Sequence, residues 1–174
     1  MNPNSVVKIP VAVLVERSKA QSPWLDYTWR AVDVLPGTVT AAPWTPVGLK
    51  DHTNQFVAGS ATIELHRMQV PNYRDNLASG VPSLWVVLRP TGGEPPYTVL
   101  TVTADPAEGE AATEAGDDLV EAVAMPASIR RQLAVFIAEH NNIERPFSKR
   151  RRDRPELEAL ARRNRLAGRA NERD

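Results

Sequence analysis

Apolar and polar positions alternate along most of this chain, and only short stretches repeat at helical spacing. In Ile9–Glu16, Val11, Val13 and Val15 fall on one side while Ala12 and Leu14 fall on the other. A strand that is apolar on both faces belongs inside a sheet rather than at its edge. Between Trp24 and Leu35 aromatic and β-branched residues crowd together, and Pro36-Gly37 closes the run, which predicts a second strand and a turn. Thr38–Asn54 contains Pro43, Pro46 and Gly48 with little periodicity. The expectation there is a surface excursion anchored by Trp44. Phe56–His66 alternates again, with Val57, Gly59, Ala61, Ile63 and Leu65 facing inward and Ser60, Thr62, Glu64 and His66 facing out.

A short helix is expected from Pro71 to Ser79, since proline suits a first helical position and Gly80 suits a left-handed cap. Tyr73 and Leu77, four apart, would share its buried face. Ser83–Arg89 reads as a strand ended by Pro90-Thr91-Gly92-Gly93, with Tyr97–Thr103 as its hairpin partner. In Asp105-Pro106-Ala107-Glu108 an N-cap acid, a proline and a glutamate stand at capping-box spacing. The helix they open ends at Gly116, and because its apolar residues are alanines it should lie lightly on the surface. Leu119–Ala124 is a further strand. From Pro126 the period turns helical, with Ile129, Leu133, Phe136 and Ile137 on one stripe and Arg130, Arg131 and Glu139 off it.

These elements predict an α+β fold: a mostly antiparallel sheet of four to six strands with short helices, one C-terminal amphipathic helix packed on the sheet, and a basic tail. No regular βαβ alternation and no Gly-x-Gly-x-x-Gly appears, which argues against a doubly wound nucleotide-binding sheet. The expected division is a strand-rich domain over residues 6–144 and an arginine-rich extension over 145–174, partly disordered or helical. A length of 174 residues suits one domain with a core and a tail.

Charge sharpens that division. The formal net charge is zero, yet residues 1–144 carry 10 Lys/Arg against 16 Asp/Glu, a net −6, and residues 145–174 carry 11 against 5, a net +6. An acidic body is joined to a basic tail. With no cysteine, disulfides, thiolate chemistry and cysteine-ligated zinc or iron–sulfur centres are excluded for this chain. The N-terminal residues lack a basic region, and the apolar run from Val11 to Val15 is too short for a signal segment or a membrane span. Cytoplasm is the expected location, with no cofactor expected.

Candidate chemistry is sparse. Three histidines occur: His52 in the excursion, His66 near Glu64 on one strand face, and His140 at a helix terminus. No spacing brings them together with carboxylates as a metal or hydrolytic site, and the serines have no nucleophile-elbow setting. The chain is therefore read as non-catalytic. Trp24, Tyr27 and Trp29 are crowded into six positions. Trp24 and Trp29 are candidates for partner binding, because such side chains join a large apolar area to a polar edge; alternatively the cluster is a satellite core beneath Thr38–Asn54. In the tail, Lys149, Arg150, Arg151, Arg152 and Arg154 form a basic block suited to an acidic protein surface, to phosphates, or to solvent alone. After Pro155, Leu157, Leu160 and Ala161 follow helical spacing in a stripe narrow enough to need a partner.

Several blocks together carry a family resemblance: Ile9-Pro10-Val11 through Glu16-Arg17, Pro23-Trp24 through Trp29-Arg30, Ala61 through Arg67, Tyr73 through Gly80, Pro82 through Arg89, Val123 through Pro126, and Pro146 through Arg154. The chain resembles an uncharacterised bacterial family, a domain of unknown function, encoded beside respiratory molybdenum-dependent formate dehydrogenase genes. The likeness runs from about Val7 to Arg154. It implies a non-catalytic assembly, maturation or regulatory protein whose partner is a formate dehydrogenase subunit or its chaperone, and it supplies no catalytic residues. Two other classes stay open on the residues: a nucleic-acid-binding regulator using the basic block, and a small ligand-binding or enzymatic domain using Glu64 and His66 beside the Thr38–Asn54 excursion.

Overall fold

Strand β1 (Val6–Lys19) is paired along both edges, which makes it a central strand. The computed structural model of the chain describes residues 6–50 and 53–141, all within the unit Met1–Glu144. The whole basic tail therefore lies outside the described residues. One flank of β1 pairs antiparallel with β2 (Tyr27–Pro36), the other with β4 (Thr53–His66), and β3 (Thr45–Lys50) pairs with the far edge of β4. The resulting order is β2-β1-β4-β3.

After a 3-10 turn at Arg67–Gln69, helix α1 (Val70–Ala78) leads into a second antiparallel sheet. It consists of β5 (Ser83–Pro90), β6 (Tyr97–Thr103) and β7 (Leu119–Ala124), in the order β6-β5-β7. Helix α2 (Pro106–Glu114) connects β6 to β7, and α3 (Ala127–Glu139) follows. The α+β class stands, with seven strands among the described residues divided between two sheets instead of the expected four to six in one. Alternation reports which face of a strand is apolar; it does not report which strands pair.

The two sheets are neighbours, β4 lying against β6 and β2 against β7. Gly59 on β4 marks one close approach, since a Cβ there would stand 3.4 Å from Val99 Cγ2 on β6. One apolar cluster joins Val11, Val13, Val15, Ile63 and Leu65 of the first sheet to Leu84, Val86, Leu88 and Val102 of the second and to Ile129, Leu133 and Phe136 of α3. Burying each such side chain contributes about 1.5–3 kcal/mol relative to leaving it in water.

Strand β3 lies inside the segment expected to be an irregular excursion. Pro46 and Gly48 interrupt its register with β4, and proline is tolerated there because β3 is an edge strand whose outer N–H groups need no ladder partner. The same two residues hide the strand in the sequence.

The helices are held by a few buried polar groups. Asn76 of α1 is 3% exposed, and its side-chain amide donates to the carbonyls of Ser83 and Ala104, both at 2.8 Å, and accepts from Ser83 N–H at 3.0 Å. It thus fixes α1 to both neighbours of the second sheet's entry. Asp105 caps α2 through Ala107 N–H at 2.9 Å and accepts from Asn72 of α1 with both carboxylate oxygens at 3.0 Å. Glu108 does not reach back to Asp105 as a capping box would. Instead Asp105 N–H donates to Thr103 Oγ1, whose hydroxyl donates to Glu108. Helix α3 buries Ile129, Leu133 and Phe136, and Phe136 meets Tyr73 of α1 edge to face at 6.2 Å between centroids.

Candidate partner-binding surface

Continuing the inward alternation Val11, Val13, Val15 by one step brings Arg17 to the core side of β1. There it sits in register between Trp29 of β2 and Asn54 of β4. Its guanidinium lies 4.4 Å from the Tyr27 ring centroid, 5.4 Å from Phe56 and 5.7 Å from Trp29. Each such approach is favourable, from about 0.5 kcal/mol where water screens it to about 2 kcal/mol where it does not. Arg17 Nε is shut off from solvent and has no hydrogen-bond partner, and no carboxylate among the described residues pairs with the side chain.

Two of these rings, Trp29 and Phe56, also meet Trp44, and Trp29 and Trp44 pack against the main apolar cluster. Trp29 meets Trp44 edge to face at 5.4 Å, and Phe56 is tilted against both at about 6 Å. Trp44 adopts a left-handed backbone with φ of 64°, an unfavourable state for a bulky side chain. Two bonds hold it there: its N–H donates to Val57 O at 2.6 Å and its indole Nε1 donates to Tyr97 O at 3.0 Å. That second bond reaches from the start of β3 to the start of β6.

Beyond the cluster, the β1–β2 turn closes through Ala20 N–H to Asp26 O at 3.1 Å and Trp24 N–H to Ser22 Oγ at 3.3 Å. The turn carries Trp24, 90% exposed, and Leu25, 61% exposed, and Tyr27, 47% exposed, opens β2 just after it. Three large apolar side chains exposed within four residues at one hairpin end are unusual for a surface that meets only water. The sequence placed Trp24 and Trp29 in one candidate set. The structure gives them different surroundings: Trp29 joins Trp44 against the main apolar cluster, while Trp24 stands 90% exposed. Arg17, Phe56 and Leu25 were missed, although the step of two from Val15 to Arg17 is visible in the sequence. Lys149, Arg150, Arg151, Arg152 and Arg154 lie outside the described residues, as does His52.

The Glu64 and His66 pair is on the open side of β4. Glu64 Oε1 meets Lys8 Nζ at 3.0 Å and Oε2 meets His66 Nε2 at 3.7 Å, with all three side chains well exposed. The Lys8 ammonium holds the Glu64 carboxyl below its usual range. Neither residue lines the groove of about 440 Å³ bordered by Val7, Arg131 and Phe136, nor the smaller one of about 240 Å³ bordered by Pro10, Val39 and Thr62. His140 is spent on the end of α3, its Nδ1 2.9 Å from Phe136 O and its ring against Phe136. Among the described residues no three His, Asp or Glu side chains gather as a metal site, and no helix is long and apolar enough to cross a membrane.

The family model described as a protein of unknown function, DUF3305, matches residues 10–151. The chain belongs to the DUF3305 family. The matched span takes in the whole β1–β2 hairpin end and runs into the basic block as far as Arg151. Membership brings no activity with it. No curated protein and no solved structure matches this chain.

Proposed function

We propose that this chain is a non-catalytic accessory protein that binds a protein partner through the β1–β2 hairpin end, in the assembly, maturation or regulation of a respiratory molybdenum formate dehydrogenase. The observation that carries the binding role is the exposure of Trp24, Leu25 and Tyr27 at the end of a hairpin whose strand β2 holds Trp29 in the Trp29–Trp44–Phe56 cluster. Aromatic anchors on a rigid base lose little conformational freedom on binding, which is why such residues dominate interface energetics. The formate dehydrogenase link is supported by the sequence resemblance over residues 7–154. The block Lys149–Arg154 is proposed as a second, electrostatic contact, suited to an acidic surface of a dehydrogenase subunit or its chaperone.

Affinity purification of the tagged full-length chain from formate-grown cells tests the reading. Dehydrogenase polypeptides should be recovered, and Trp24→Ala should reduce their yield. Recovery of none, together with normal dehydrogenase assembly in a strain lacking the gene, overturns it.

A further inference from the structure

We infer that Arg17 is an anchor for a carboxylate supplied by the bound partner, so that the hairpin end recognises an aspartate or glutamate side chain flanked by apolar residues. This rests on the protein-binding reading of the same surface and says what that surface selects.

The argument begins with what Arg17 lacks. A guanidinium carries N–H donors in a planar fork and accepts nothing. Elsewhere among the described residues Lys8 pairs with Glu64, Arg30 with Glu121 and Arg89 with Asp118. Arg17 instead faces three π surfaces and, among the described residues, pairs with no anion. Ring faces attract the cation but take none of its in-plane hydrogen bonds, so a ring cage orients the fork and leaves its edge available. Nε is the nitrogen buried without a partner, and the residue as a whole keeps part of its surface in solvent.

What lies beside the fork defines the rest of the ligand. Tyr27 is the ring closest to the guanidinium and is itself 47% exposed, and in the chain it follows directly on the turn that carries the exposed Trp24 and Leu25. Lys19, in register with Tyr27 and exposed, adds a second positive charge on the adjoining step of β1. A cationic fork bordered by apolar rings is complementary to a carboxylate bordered by apolar side chains, and is poorly matched to a phosphodiester backbone, which carries repeated charge and no apolar flank.

The test uses isotope-labelled full-length protein titrated with acetyl-Leu-Glu-Leu-amide and, separately, with its Gln counterpart, reading the Arg17 Nε–H and tryptophan indole N–H resonances. The glutamate peptide should move the Arg17 and Trp24 signals and bind about ten-fold more tightly than the glutamine peptide. Arg17→Gln should erase that preference and Arg17→Lys should restore it only in part, because lysine lacks the fork. Equal binding of the two peptides by the unaltered protein, or no shift with either, overturns the inference without recourse to any variant. The two readings fail separately. Dehydrogenase recovery that is lost in Trp24→Ala and kept in Arg17→Gln leaves the protein-binding role standing and removes the anchor. A peptide preference with no dehydrogenase recovered keeps the anchor and removes the assigned partner.

Discussion

A Cβ added to Gly109 would stand 2.3 Å from Trp85 Cγ, deep inside the van der Waals radii of both atoms. Gly109 is the buried residue of α2, and the indole it lies on belongs to the central strand of the second sheet, so the alanine-rich helix is seated by an absence of side chain. Gly109→Ala should lower unfolding free energy by about 1–3 kcal/mol, the usual range for overpacking, whereas Gly93→Ala, with open space around it, should be near neutral; urea titrations of both variants check this. Tyr73 offers a second residue-scale test. Its hydroxyl accepts from His66 N–H at 3.1 Å and donates to Gln69, and burial raises its pKa above the ordinary phenol value. A group whose folded pKa is raised contributes stability that is complete below the unfolded pKa and is lost as pH rises toward the folded one. Stability should therefore decline as pH climbs above about 10, and Tyr73→Phe, though less stable at neutral pH, should lose that part of the slope in unfolding curves collected across the alkaline range.

At the scale of elements, the β1–β2 hairpin combines two jobs on one ribbon. Its strand end builds the Trp29–Trp44–Phe56 cluster, and its turn presents Trp24 to solvent. Trp29→Ala should cost about 3 kcal/mol because it empties a packed site, while Trp24→Ala should change stability by less than about 0.5 kcal/mol because its side chain is almost wholly in water. Denaturant midpoints separate the two, and near-ultraviolet circular dichroism should change mainly in the Trp29 variant. Alternation made β1, β2 and β4 legible because both strand faces there keep a simple apolar rhythm. β3 was not legible, because Pro46 and Gly48 are ordinary loop signals and only pairing to β4 turns them into an edge strand. The capping residue Asp105 was legible from local spacing. The Thr103 hydroxyl between its N–H and Glu108 was not, since it depends on how β6 enters α2.

For the whole molecule, the charge division and the core fall on different parts of the chain. Residues of the apolar cluster run from Ile9 to Phe136, and the basic block begins at Lys149. Reversing charge at Arg150, Arg151 and Arg152 to glutamate should leave the unfolding midpoint unchanged and weaken partner recovery, with the deficit largest at low salt where charge attraction is least screened. Parallel pulldowns at two salt concentrations, together with thermal unfolding of the same variant, measure both halves.

The sequence by itself determined the α+β class, the faces of most strands, the helix stops at Gly80 and Gly116, and the separation of acidic body from basic extension. Those properties depend on near neighbours in the chain: side-chain period, backbone preferences of proline and glycine, and charge count. Tertiary structure alone decided that, among the described residues, seven strands divide into two sheets, Trp29 packs while Trp24 projects, and Arg17 meets three rings and pairs with no carboxylate. Each of these joins residues distant in the chain, such as Arg17 with Phe56 or Trp44 with Tyr97, and such pairings are fixed by packing rather than by any local pattern.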